Sequence, residues 1–396
     1  MDADVIVAGG GVIGTAIAWR AAREGRTVIM IDPDGGDPAA DDPRSSDRAS
    51  LVAAGMLGPV SESVFGEERL LHLNLHAVER FPGFNRELEQ ATGQVTGLRT
   101  EGTLAVAYDS GDLAALDRLT GFRHSIGLRA ERLDARETRR LEPFLAPSTR
   151  GGVLTPGDLS VDNRRYLAAL RAAAAGAGVR SLAGRVFRVG GDRVGGDRVG
   201  GGRVEASVAG PGGPVVTILD APHVVVAMGH ATRHAEGVPK AVRRAIRPVK
   251  GQILRLRHPG GLPPLLTRTV RAVVGGHDLY FVPRADGELV VGATQEERDD
   301  RDVTAGAVLD LLRDAGTAVP AVSELLFAEA SAGLRPGTSD NGPIVGRAGT
   351  GAMIIATGHF RNGILLSAVT ADAVTALLAG REPHPAWQPF TPGRFS

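Results

Sequence analysis

The spacing of apolar and polar positions changes several times along the chain, and each change predicts an element. Val5–Val7 and Val28–Ile31 are short continuous apolar runs, separated by glycines at 9, 11 and 14 and an Ala-rich stretch. Runs of this kind predict buried parallel strands, and the Ala-rich stretch predicts the helix that crosses between them. Pro33–Arg48, rich in Asp, Pro, Gly and Ser, predicts a surface loop, and Ala49–Pro59 is a run of mostly small residues. Apolar residues at 70, 71, 75, 78 and 81 have helical spacing, so a helix is predicted between Glu67 and Thr92, interrupted at Pro82. Gly102–Tyr108 alternates like a strand, helical patterns begin at Leu113 and Ala135, and Asp162–Ala177 predicts a helix leading into a strand at Val179–Leu182.

The pattern then changes character. Residues 185–204 hold a tandem Asp-Arg-Val-Gly-Gly repeat, too rich in glycine to build a packed layer. Two strands near Arg185–Val189 and Arg203–Val208, joined by an expanded hairpin loop, fit it best. His223–Met228 is again a continuous apolar run that stops at Gly229. Alternating runs at Ala245–Val249, Gln252–Arg257, Val270–Val274, Leu279–Val282 and Glu288–Val291 predict a mostly antiparallel sheet, followed by a helix from Thr304 to Thr317. The end of the chain returns to the opening pattern: strand Met353–Ala356, a glycine turn, and a long Ala-rich helix from Gly363 to Leu378. The opening domain is therefore expected to be discontinuous, with a β-rich lobe inserted in it. The expected divisions are 1–92, 148–240 and 334–396 for the first domain, and 93–147 and 241–333 for the second.

Composition narrows the function classes. Forty-five basic residues balance 45 acidic ones with no basic block, which argues against nucleic acid or an anionic membrane as partner. Cysteine is absent, so disulfides, thiol catalysis and cysteine-ligated metal centres are excluded. No metal site is expected. No apolar run reaches membrane-span length and no leader pattern precedes the first strand, so a cytoplasmic location is expected.

The glycines at the start carry the chemistry. Gly9 permits a tight turn, Gly11 lets a pyrophosphate approach the backbone, and Gly14 lets helix and strand pack closely. Amides at the helix start, including those of Val12 and Ile13, face the phosphates together with the positive end of the helix dipole. Asp32, 18 residues after Gly14, can accept hydrogen bonds from ribose hydroxyls. A dinucleotide is expected here, and this unit alone leaves FAD and NAD both open. Three further segments stand out. Ala53-Ala54-Gly55-Met56 would let a flat ligand approach the backbone, or would simply form a tight helix start. Arg335, between Gly333-Leu334 and Pro336-Gly337, has the planar fork that grips a carboxylate, or else an internal ion pair. Ala356–Gly363 (ATGHFRNG) is a strand, a polar elbow and a helix start whose amides could stabilise negative charge, unless Asn362 merely caps the helix.

These segments, with ASLVAAGML, IRPVKGQILRLR, YFVPRADGELVVGAT, AGLRPGTSDNGPIVG and ATGHFRNGILL, resemble the FAD-dependent glycine oxidases of thiamine biosynthesis, in the D-amino-acid oxidase superfamily. The resemblance runs from Asp4 to about Phe395. It implies a discontinuous Rossmann-like FAD-binding domain and a β-rich, mostly antiparallel substrate domain that covers the flavin. It also implies noncovalent FAD, with Gly9, Gly11, Val12, Ile13, Gly14, Asp32, Ala53, Ala54, Gly55, Met56, Val186, Gly229, His359, Arg361, Asn362, Gly363 and Ile364 around it. By the same resemblance Arg335 and Tyr280 would bind the substrate carboxylate, Arg361 would flank the mouth, and Met56 would line the pocket. Val186 would meet adenine, and the backbone of His359 to Ile364 would meet the pyrimidine end of the flavin. No residue is expected to act as an acid or base. Ser331, Gln295 and Asp278 depart from the family pattern, where tryptophan, an apolar residue and histidine occur.

The activity so implied is oxidation of glycine, or of sarcosine or D-alanine, to an imine that hydrolyses to a 2-oxo acid and ammonia, with dioxygen as acceptor. Iminoacetate would be handed to a thiazole synthase, and a homo-oligomer, with tetramer as first guess, is expected. A sarcosine or D-amino-acid oxidase or dehydrogenase is the nearest rival. A non-catalytic flavin module and an NAD-dependent reductase are the others.

Overall fold

Val5–Ala8, Val28–Asp32 and Met353–Thr357 are buried along their whole length, and an unbroken apolar run is what a strand covered on both faces requires. In the computed structural model, which describes residues 3–35, 48–191, 201–210, 213–260, 264–349 and 351–395, these strands form the centre of an eight-stranded sheet. Arg180–Gly191, Val28–Asp32, Val5–Ala8, His223–Val226 and Met353–Thr357 lie side by side, each parallel to the next. Antiparallel strands flank them, Ile344–Ala348 on one side and the hairpin Gly202–Gly210/Gly213–Ala221 on the other. The helices Val12–Arg23, Asn163–Gly176 and Gly363–Leu378 pack together over one face, with Glu68–Thr92 outside them. Their shared core includes Trp19, Phe81, Phe84 and Tyr166, and the Trp19 and Phe84 rings meet edge-on at 5.1 Å.

The second sheet also has eight strands. In spatial order they are Leu326–Gly337, Arg247–Arg257, Glu288–Gly292, His277–Pro283, Thr269–Val274, Thr103–Ala107, Gly151–Thr155 and Glu131–Asp134. Every pairing is antiparallel except that of Thr269–Val274 with Thr103–Ala107. Its second core, around Phe281, Leu254 and Val291, is closed by the helix Ala305–Ala318. The lobes meet where the short helix Ala49–Val52 touches the strand Leu326–Gly337.

Several expectations are corrected. Glu68–Thr92 is one continuous helix with Pro82 inside it. Proline costs one backbone hydrogen bond there, and the buried face formed by Leu73, Ala77, Phe81, Phe84 and Leu88 outweighs that loss. Arg247–Arg257 joins two expected runs into one strand. Leu326–Gly337 is a full strand that passes through the expected division at 333/334, so Arg335 belongs to the second sheet. Gly151–Thr155 joins the second sheet as well, although it follows the expected division at 148. The repeat is flanked by a longer ladder than predicted, pairing Gly191 with Gly202. The repeat itself, at 192–200, lies outside the described residues. No described helix is long and apolar enough to cross a membrane.

Because Gly191 already pairs with Gly202, replacing 192–200 with a two-residue turn should leave stability unchanged. Shortening a loop alters closure entropy by only about 0.6 kcal/mol per halving. Thermal melting checks this, and a lowered melting temperature on shortening would contradict it.

Candidate active site

The opening glycines form a turn that no larger residue could make. Gly9 has φ +105°, and a Cβ on Gly14 would lie 1.9 Å from the Gly9 carbonyl oxygen. Helix Val12–Arg23 therefore starts directly beneath the strand. Its N-cap, Gly11, has no side chain, and the Val12 amide donates to the Ser50 hydroxyl at 3.1 Å. Beside the turn, Asp32 is buried and accepts from the Gly10 amide at 2.7 Å. Its other oxygen pairs with Arg48, which also reaches Asp34. Burial lowers the Arg48 guanidinium to about 9, so it stays charged at neutral pH. Neither Arg48 nor Ser50 was anticipated, since both stand beside a loop with no periodic signal.

A cavity of about 690 Å³ runs from this turn into the second lobe. Its walls include Gly9, Gly11, Val12, Ile13, Asp32, Ala53, Ala54, Gly55, Met56, Val186, Gly229, His359, Arg361, Gly363, Ile364, Tyr280 and Arg335. Gly14 and Asn362 do not line it: Gly14 acts from behind by close packing, and Asn362 is buried in the elbow. Asn362 makes no side-chain cap on helix Gly363–Leu378, so simple capping does not explain that elbow. Two helix N-termini, at Gly11 and Gly363, thus reach one cavity and present positive dipole ends to it.

The elbow is tightly held. Phe360 takes φ +47°, a left-handed conformation uncommon for a bulky residue, and lies beneath Arg361, whose guanidinium stands 5.3 Å from its ring centre. Burial drives His359 down to about 3, so its ring is neutral and bonded to the Thr370 hydroxyl at 3.0 Å. His359 contributes backbone and shape, and no proton. Opposite, the small-residue run is pinned by Arg284, a buried arginine that donates to the Ala54 carbonyl at 2.6 Å and to the Val161 carbonyl at 2.9 Å.

Arg335 and Tyr280 come from different strands of the second sheet and meet in the cavity. The Arg335 guanidinium lies over Gly251: a Cβ there would approach its nitrogens to 2.3 Å. Besides its contact with the Tyr280 phenol, it donates long hydrogen bonds, 3.3 and 3.4 Å, to the carbonyls of Thr294 and Lys250. That is weak satisfaction for a group with five donors. Tyr280 is likewise seated against Gly292, where a Cβ would lie 2.5 Å from its hydroxyl. Burial raises the Tyr280 pKa, with Arg335 opposing and the Glu62 carboxylate reinforcing, so the phenol remains a donor. A cation with spare donors and a phenol donor at one end of a pocket suit a carboxylate. Gln295 and Asp278 also line the cavity, while Ser331 is buried opposite Ile253 and does not reach it. Glu62 and Arg271, which the periodicity did not single out, line it too and pair at 3.5 Å.

An elongated cavity that begins at a dinucleotide turn and ends under an antiparallel sheet defines a two-lobe flavoprotein oxidoreductase fold. The model of the FAD dependent oxidoreductase family matches residues 4–377, and the chain belongs to that family. It is 32% identical over 386 residues to the glycine oxidase of Geobacillus kaustophilus, covering 96% of this chain and 93% of that protein. It is 31% identical over 397 residues to the bifunctional protein ThiO/ThiG of Synechocystis, covering 99% of this chain; the chain spans only 54% of that relative. A crystal structure of glycine oxidase from Geobacillus kaustophilus superposes with a TM-score of 0.82 at 31% identity, covering 98% of each chain. FAD is the cofactor of this family, and the side-chain-free turn Gly9–Gly11, buried Asp32 and the elbow at 359–364 fit it. The discontinuous FAD-binding and β-rich architecture expected from the sequence is the architecture found.

Gly14→Ala should weaken FAD binding at least tenfold, because its Cβ would strike backbone rather than a movable side chain. Overpacking of this kind typically costs about 1–3 kcal/mol. Titration of apoprotein with FAD, followed by flavin fluorescence, measures it; wild-type affinity would show that the turn does not cradle the cofactor.

Proposed function

We propose that the protein oxidises glycine, and small amines such as sarcosine and D-alanine, with FAD as electron acceptor and dioxygen as the terminal oxidant. The observation that carries this reading is the Arg335–Tyr280 pair at the inner end of the cavity. When bound, FAD accepts a hydride from the substrate α-carbon and returns the electrons to dioxygen as hydrogen peroxide. The chain's own residues do the positioning. Arg335 and the neutral Tyr280 phenol hold the carboxylate in two directions, which fixes the α-carbon. Met56 and Ile253 line the cavity in one apolar cluster with Tyr280, a wall that would disfavour a side chain larger than methyl. Each extra methyl changes the balance by only about 1–3 kcal/mol, so glycine, sarcosine and D-alanine should all react. Helix Gly363–Leu378 presents its positive N-terminal end to the cavity and would stabilise negative charge on a reduced ring held there.

The imine leaves as iminoacetate or hydrolyses to glyoxylate and ammonia. Delivery of iminoacetate to a thiazole-forming partner is part of the proposal, supported by the relative of double function that extends beyond the segment matched here.

Arg335→Met should raise KM for glycine ~30-fold or more with FAD retained, since losing a buried clamp on a carboxylate costs about 2–5 kcal/mol. Arg335→Lys should recover part of this, because an ammonium lacks the planar fork. Peroxide-coupled steady-state assays give the answer. An unchanged KM in the methionine variant would place the carboxylate elsewhere.

A further inference from the structure

The segment 58–63 is irregular yet held from three sides. Asp158, buried, accepts from the amides of Val60 and Ser61, both at 3.1 Å, and from the Thr155 hydroxyl at 2.9 Å. Buried Arg123 donates to the Ser61 carbonyl at 2.9 Å and to the Ser63 hydroxyl at 3.2 Å. Arg271 donates to the same Ser61 carbonyl at 3.2 Å. What this bracing fixes is Glu62, whose side chain is only 11% exposed and faces the cavity.

Arg271 stands directly opposite Tyr280 in the antiparallel ladder. Partners of that kind point to one face of the sheet, with Cα atoms about 4.5–5.5 Å apart. On the sheet face that carries Tyr280, the cavity wall therefore holds a further guanidinium, the same type of group that grips the substrate carboxylate. It is paired at 3.5 Å with a carboxylate supplied by the protein.

We propose that Glu62 is a specificity-determining residue. By occupying Arg271 it reserves the pocket for substrates with a single carboxylate. The inference rests on the reading of Arg335 as the carboxylate clamp. A ligand with a second carboxylate, on its nitrogen or its α-carbon, must either displace Glu62 from Arg271 or lie beside a like charge in a cavity of low dielectric. Glycine, sarcosine and D-alanine present nothing at that position. Removing the Glu62 charge turns Arg271 into a receptor for the second carboxylate.

The test compares holoenzyme of wild type, Glu62→Gln, Glu62→Ala and the double variant Glu62→Gln/Arg271→Met. Two non-reacting probes, acetate and malonate, are titrated through the perturbation of the bound flavin's absorbance. Glycine and iminodiacetate, an N-carboxymethyl glycine, are compared as substrates by kcat/KM within each variant. The single variants should tighten malonate relative to acetate at least tenfold and raise the iminodiacetate-to-glycine ratio by a similar factor. Adding Arg271→Met should abolish both gains. Unchanged ratios in flavin-replete single variants would overturn the assignment, as would gains that survive loss of Arg271. Failure of wild-type holoenzyme to oxidise glycine would overturn the proposed function instead, and the malonate-to-acetate ratio would still decide the role of Glu62.

Discussion

A guanidinium needs room and partners, and the room for Arg335 comes from Gly251 on the neighbouring strand. A single methyl at position 251 would lie 2.3 Å from its nitrogens, so the ladder that pairs Leu326–Gly337 with Arg247–Arg257 must carry glycine there. The carbonyls of Lys250 and Thr294 hold the guanidinium loosely and leave donors directed into the cavity. Tyr280 obeys the same logic against Gly292. Lodging two bulky polar side chains over backbone gives one sheet face the donors that the proposed carboxylate site needs, while its other face stays packed around Phe281 and Leu254.

The first lobe supplies the complementary half. Two helices whose N-cap residues, Gly11 and Asn362, supply no capping side chain reach the same cavity, one beneath the Gly9–Gly14 turn and one after the His359–Asn362 elbow. Each end concentrates partial positive charge. Between them, Arg284 secures the Ala53–Met56 run by its carbonyls, so the wall at that point is backbone rather than mobile side chain. The two lobes meet along Leu326–Gly337, which touches Ala49–Val52, Gly229–His234 and Phe360–Asn362.

Much of this was legible because it is governed by local rules. Continuous apolar runs marked the parallel strands, and the spacing of Gly9, Gly11, Gly14 and Asp32 marked the dinucleotide turn. Arg335 between apolar residues was conspicuous because arginine is seldom buried without a task. The features that escaped depend on partners distant in sequence. Pro82 reads as a break until the face around Phe81 and Phe84 is seen to be buried. Leu326–Gly337 gives no strand signal of its own because its support is cross-strand pairing. Asp158, Arg123 and Glu62 have no periodic signature; their relation appears only when residues about 60 to 100 positions apart are brought together.

The central claim is that a bound flavin and the Arg335–Tyr280 pocket form one oxidation site for glycine. Its most direct measurement is the absorption spectrum of the purified holoprotein before and after glycine is added without oxygen. The account predicts that the oxidised flavin band bleaches on addition of glycine and returns when air is admitted, with hydrogen peroxide formed. A flavin spectrum that glycine, sarcosine and D-alanine all leave unchanged would contradict it.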